Sequence, residues 1–231
     1  MVKNAYLFDI DGTLLHARGI GKWAFENALS KTLGGKYSLD KEDFSGRTDK
    51  DILYSFLERL GYKSEEIVKI MPSLYNSYLD EFKKLTEEYK DNFLVFPKVK
   101  ELLSELKGEC LGLLTGNLLE AAFIKLKAIG VDEFFPYGVG GFGNESRNRS
   151  KLLPIAIERM KVFYGIEKFN KVWVIGDSHR DIICAKENNA ISLIVATGKE
   201  RKEKLIKYEP DFIFDDFGNM EMILNILKDR N

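Results

Sequence analysis

Five short segments constrain what this chain can build: residues 5–8, 110–114, 172–175, 192–195 and 212–214. They are rich in Val, Ile, Leu and Phe and are mostly apolar on both faces. A strand with one wet face alternates apolar and polar residues. A strand without that alternation is buried on both sides, as in a parallel sheet covered by helices. Phe134 and Phe135 predict the start of a further short strand. Helix patterns fall between these segments, over 118–129 (closed by Gly130), 152–163 (closed by Gly165), 181–189 and 219–227. Strand and helix alternate from about residue 95 onward, which predicts a doubly wound, Rossmann-like α/β core.

Residues 16–94 break the alternation and contain no expected strand. An amphipathic helix is expected over 23–33. Thr48-Asp-Lys-Asp reads as a helix start, with a hydroxyl cap and an acid three positions on, leading into 52–60 and stopped by Gly61. Ser64-Glu-Glu-Ile opens another helix. Residues 72–89 read as a separate long one, with Leu74, Tyr78, Leu79, Phe82 and Leu85 on one side, and 91–97 as a linker. The expected organisation is a core made of 1–15 and 95–231, with a helical insert over 16–94. A chain of 231 residues accommodates both.

Lys and Arg number 35 against 36 Asp and Glu, so the net charge is -1 and no basic stripe suggests a nucleic-acid partner. No apolar run approaches the roughly 20 residues of a membrane span, and no secretion signal precedes the first strand. Cys110 and Cys184 lie in apolar patterns far apart, as buried thiols would. The expectation is a cytoplasmic protein, monomer or homodimer, with no nucleic-acid or membrane partner.

The chemistry lies at the strand ends, where an open parallel sheet binds its ligands. The first strand runs out in Asp9-Ile10-Asp11-Gly12-Thr13. Two carboxylates so close repel unless a divalent cation relieves them. The second strand ends in Thr115-Gly116-Asn117, whose hydroxyl and backbone amides suit phosphate oxygens. Another ends in Gly176-Asp177-Ser178-His179-Arg180-Asp181, with a carboxylate at the tip and a second at a helix start. Gly138-Val-Gly140-Gly141-Phe-Gly143 mimics a dinucleotide loop but lacks the strand-loop-helix unit and the distal acid.

These motifs, in this order, resemble the haloacid dehalogenase superfamily over nearly the whole chain. Asp9-x-Asp11-Gly-Thr13 is similar to its first motif, Thr115 to its second and Gly176-Asp177…Asp181 to its fourth. The helical insert resembles the C1 cap, and Ser45-Gly46-Arg47-Thr48-Asp49 resembles a cap segment of phosphoglycolate-phosphatase-like members. The third motif is a cation. Arg147, Arg149 and Lys151 are the candidates; Arg149 fits best on counting back from the helix, with Lys151 next. The resemblance implies a phosphatase acting on a small phosphomonoester, phosphoglycolate or a sugar phosphate, through an aspartyl-phosphate on Asp9. Asp11 would be the acid–base. Mg2+ would be held by Asp9, the Asp11 carbonyl and Asp177, with Asp181 behind. Thr115, Gly116, Asn117 and Arg149 or Lys151 would hold phosphate, and Arg47 the rest of the substrate. His16 would sit at the hinge or line the entrance, and His179 at a helix start on the surface. Mutase, phosphonate-cleaving and non-catalytic binding roles are the alternatives; phosphonate cleavage requires a Schiff-base lysine such as Lys22 or Lys50.

Overall fold

The computed structural model describes residues 3–228. The chain opens with β1 (Ala5–Phe8) and turns sharply through Gly12 into the two-residue strand β2 (Leu15–His16). Three helices follow: α1 (Ile20–Leu33), α2 (Asp49–Arg59) and α3 (Ser64–Glu88). The chain returns through β3 (Leu94–Val95), antiparallel to β2. Then come α4 (Val99–Glu105), β4 (Cys110–Leu114), α5 (Leu119–Ile129), β5 (Gly140–Gly141), α6 (Leu152–Tyr164), β6 (Val172–Gly176) and α7 (His179–Glu187). Last are β7 (Ile191–Val195), α8 (Lys202–Ile206), β8 (Phe212–Phe214) and α9 (Met220–Leu227).

The main sheet has the order β5-β4-β1-β6-β7-β8, with every pair parallel. This is the doubly wound α/β fold that the apolar runs predict. From β1 the chain builds outward to β4 and β5, then crosses to β6 and builds the other way. The crevice at that reversal is where such sheets bind ligands. Alternation within β1 divides the core. Tyr6 and Phe8 pack with α4, α5, α9 and the inserted helices. Ala5 and Leu7 face α6 and α7.

Several local expectations are corrected. Phe134 closes a 3-10 turn (Asp132–Phe134), and the sixth strand is Gly140–Gly141. A Cβ on Gly140 would strike the Leu113 carbonyl, and one on Gly141 the Leu152 carbonyl. Only glycine lets this edge strand lie so close to β4 and α6. Residues 64–88 form one helix running through Pro72. Pro72 cannot donate to the carbonyl of Val68, but Val68 lies on the exposed side of α3, where water can replace the bond. Ile67, Met71, Leu74, Tyr78, Phe82 and Leu85 are buried along the other side and hold the helix together. The β2–β3 ribbon also replaces the linker expected over 91–97: Phe96 N–H donates to Leu14 O, extending its pairing.

Candidate active site

β4, β1 and β6 are neighbours, so their C-terminal tips deliver residues 115, 9 and 177 to one place. Asp9 continues β1, its N–H donating to Ile175 O at 2.9 Å. Its Oδ1 accepts from Ile10 N–H at 2.7 Å. Its Oδ2 lies 3.0 Å from an Arg149 nitrogen. The same Arg149 nitrogen donates to Asp181 Oδ1 at 2.6 Å and Leu114 O at 2.9 Å. Asp181 is fully buried; its Oδ2 accepts from Ser178 N–H and Oγ–H at 3.0 and 2.6 Å, a capping box at the start of α7. Asp177 Oδ1 accepts from the Thr13 hydroxyl at 3.0 Å. Its carboxyl fills the space that a Cβ on Gly12 or Gly198 would need. Gly12 also has φ 85°, a left-handed turn open to glycine.

Asp9, Asp177 and Asp181 offer oxygens within 4.8 Å of one another. One guanidinium faces these three carboxylates, leaving a charge of -2 when all are ionised. Burial, with the negative charges of Asp181 and Asp11, raises Asp9 to about 6 against the pull of Arg149. Burial, Asp181 and Asp9 push Asp177 well above the carboxylate range. A divalent cation fits this set: hard oxygen donors, already assembled, short of two positive charges. Asp181 is fully buried behind Arg149 and does not line the cavity, whereas Asp9 and Asp177 do, so they are the two placed to reach an ion.

Beside this set lies a second cluster. Asp11 Oδ2 accepts from Lys125 Nζ at 2.5 Å and Asn117 Nδ2 at 2.7 Å. Asp49, on the insert, is buried, and its Oδ2 accepts from Leu118 N–H at 2.8 Å. Burial, with the Asp11 charge, raises Asp49 to about 7 against the pull of Lys125. A cavity of about 280 Å³ joins the clusters and is roofed by Phe25, Phe44 and Tyr78 of the insert. The insert rests on its rim: Asp49 N–H donates to Gly116 O at 2.7 Å, Arg149 to Gly46 O at 3.3 Å, and Ser45 Oγ–H to Glu200 at 3.0 Å.

Asp9, Asp11, Gly116, Asn117, Arg47, Arg149 and Asp177 all line this cavity, and Asp181 lies behind Arg149. Thr115 is fully buried beneath it, its hydroxyl accepting from Asn117 Nδ2 at 2.8 Å. Lys151 is corrected. Residues 149–151 form one 3-10 turn, which sends Arg149 inward and Lys151 into solvent. Arg147 is also outside, paired with Asp51 and Glu58. Arg47 reaches the wall, but Asp51, Ser55 and Glu42 already hold its guanidinium, so it is not the free grip expected. His16 lines the mouth. His179 is corrected from a surface position: it is half-buried, 2.5 Å from Glu200. Lys125 was not anticipated. The available signal was a lysine in the apolar stripe of α5, with Ala121, Ala122, Leu126 and Ile129.

Lys151→Ala is therefore expected to leave any turnover within about twofold of wild type and stability within about 0.5 kcal/mol, as for an exposed side chain. Steady-state kinetics and thermal melting check both.

The sequence profile of the haloacid dehalogenase-like hydrolases matches residues 6–195. A pyrophosphatase PpaX of Bacillus cereus is 26% identical over 99% of this chain and 98% of its own. A phosphoglycolate phosphatase of Vibrio vulnificus is 28% identical, covering 92% of each chain. Among solved structures, a "predicted phosphatase" from Clostridium acetobutylicum superposes with a TM-score of 0.71 at 23% identity, over 97% of this chain and 100% of that one.

Proposed function

The chain belongs to the haloacid dehalogenase-like hydrolases, and from that premise we propose that it is a magnesium-dependent phosphatase cleaving small phosphomonoesters, phosphoglycolate or a sugar phosphate among them. The observation that carries the reading is the buried set Asp9, Asp177 and Asp181 around one arginine, opening into the cavity that Asp11 also lines. Helices of residues 20–88 act as the cap that selects the substrate. It works on free small molecules in the cytoplasm, as a monomer or homodimer.

An oxygen of Asp9 attacks phosphorus, and the bond to the leaving oxygen breaks as its electron pair takes a proton from Asp11. An alcohol and an aspartyl-phosphate result. Asp11, now a carboxylate, takes a proton from water, whose oxygen attacks phosphorus and returns Asp9. Asp9, Asp177 and the Asp11 carbonyl would hold Mg2+, which when bound screens repulsion between nucleophile and phosphate. Arg149 balances charge on Asp9 and holds it in place. The amides of Gly116 and Asn117 border the cavity where phosphate oxygens carry charge.

Lys22, a Schiff-base candidate for phosphonate chemistry, is paired with Asp40 and Glu26, and the Asp40 contact raises its pKa. An attacking amine needs the opposite shift.

The test is phosphate release from a panel of alkyl phosphates, sugar phosphates and pyrophosphate with Mg2+. Release that stops in EDTA and in Asp9→Asn is expected. No release from any of them by folded wild type would overturn the reading. Asp11→Asn should lower kcat by about 10²–10⁴-fold on alkyl esters, the range for an acid–base group.

A further inference from the structure

Lys125 has no part in the proposal above, although it is only 4% exposed. Its ammonium donates to Asp11 Oδ2 at 2.5 Å and to Asn117 Oδ1 at 2.6 Å. Asn117 Nδ2 donates to that same Asp11 oxygen at 2.7 Å and to Thr115 Oγ1 at 2.8 Å. Lysine, asparagine and aspartate thus close a ring. Both donors converge on Oδ2, and no group among the described residues bonds Oδ1. The ammonium also lies 5.6 Å from the centre of the Phe82 ring, a cation–π contact reaching into the insert.

Core packing does not require this arrangement. Lys125 shares the apolar stripe of α5, where an uncharged side chain would need no desolvation. The Asp11 side chain is 44% exposed, so it needs no buried counterion. We propose that Lys125, with Asn117, is a positioning residue for Asp11: the two hold Oδ2 in place and leave Oδ1 as the oxygen that exchanges the proton. The inference rests on the acid–base role proposed for Asp11. As the bond from phosphorus to the leaving oxygen breaks, the proton on Oδ1 passes to that oxygen. Asp11 is left as a carboxylate, whose Oδ2 charge is met by the ammonium and the amide. In the second half, water returns a proton to Oδ1.

The readout is leaving-group dependence. An alkoxide needs a proton to depart, whereas p-nitrophenolate does not. In Lys125→Met, kcat/KM for the best alkyl phosphate is expected to fall about 10–10²-fold, the cost of a misplaced group. The value for p-nitrophenyl phosphate should stay within about threefold. Asp11→Asn should show the same pattern in stronger form, and the double variant should be no slower than Asp11→Asn alone, because the two act as a unit. Should Lys125→Met not fold, Lys125→Gln removes the ammonium while keeping most of the side-chain length and must reproduce the pattern. Equal losses on both esters, additive losses in the double variant, or an unchanged alkyl rate would overturn the inference. If wild type shows no Asp9-dependent release at all, the phosphatase reading falls, and this one with it. If release depends on Asp9 but the loss ignores the leaving group, only the role of Lys125 falls.

Discussion

Asp9→Asn is expected to lose phosphate release by about 10⁴-fold or more and, in metal-free buffer above pH 7, to melt at a higher temperature than wild type. The first effect follows from removing a nucleophile that no neighbour replaces. The second follows from burial. Asp9 rises from 3.8 in the open chain to about 6 when folded, so between these values the folded protein holds more protons than the unfolded one. Its contribution is therefore fully present below pH 3.8 and is lost as pH rises through 6. Asparagine keeps the shape without the charge. The gain above pH 7 is about 1–3 kcal/mol, or ~2–12 °C in Tm for a chain of this size. Mg2+ should raise the Tm of wild type and do much less for the variant, since ligand binding stabilises only a folded state that holds it. Melting curves from pH 4 to 8, with and without Mg2+, check the sign. A lower Tm for Asp9→Asn would mean that the ion pair with Arg149 outweighs the desolvation of Asp9. Wild-type turnover in the variant would move the nucleophile elsewhere.

Arg149→Met is the second large effect, in the opposite direction. This guanidinium bridges Asp9 and Asp181 and ties the tip of β4 to the insert through Leu114 O and Gly46 O. Methionine fills part of the volume but leaves Asp181 fully buried with no cation beside it. Breaking a buried pair in this way costs about 3–5 kcal/mol, a fall of ~6–20 °C in Tm. Phosphate release should drop by about 10²-fold or more, as on losing a preorganised electrostatic group. Arg149→Lys keeps the charge but not the planar fork, and should fall between the two. Differential scanning calorimetry and the ester assay give both numbers. A variant as stable as wild type would show that protons on the carboxylates, rather than Arg149, balance the cluster.

What local sequence could and could not carry is visible in particular residues. The runs at 5–8 and 172–175 are apolar on both faces within four residues each, so parallel strands follow without any other part of the chain. Asp9 and Asp11, and Asp177 and Asp181, stand at the ends of such runs, and strand tips are where this sheet opens. Asp181 could be placed because a helix start two residues after the tip is also local.

Other features depended on which side a residue faces once packed. Arg149 and Lys151 are two positions apart in one turn, and only packing against β4 and α7 sends one inward and the other out. Arg47 looked free because Asp51, Ser55 and Glu42 converge on it only after α2 forms and the preceding loop folds back. Gly140–Gly141 became a strand because two residues without Cβ atoms can lie against β4 and α6, where neighbouring carbonyls leave no room for a side chain. Pro72 stayed helical because α3 has a dry face to hold it. The sequence alone determined the five apolar strands and the residues at their tips, since both are properties of contiguous residues. The tertiary structure decided the partners: Lys125 meets Asp11 across 114 positions because the order β4-β1-β6 brings α5 beside the tip of β1, and no periodicity encodes that order.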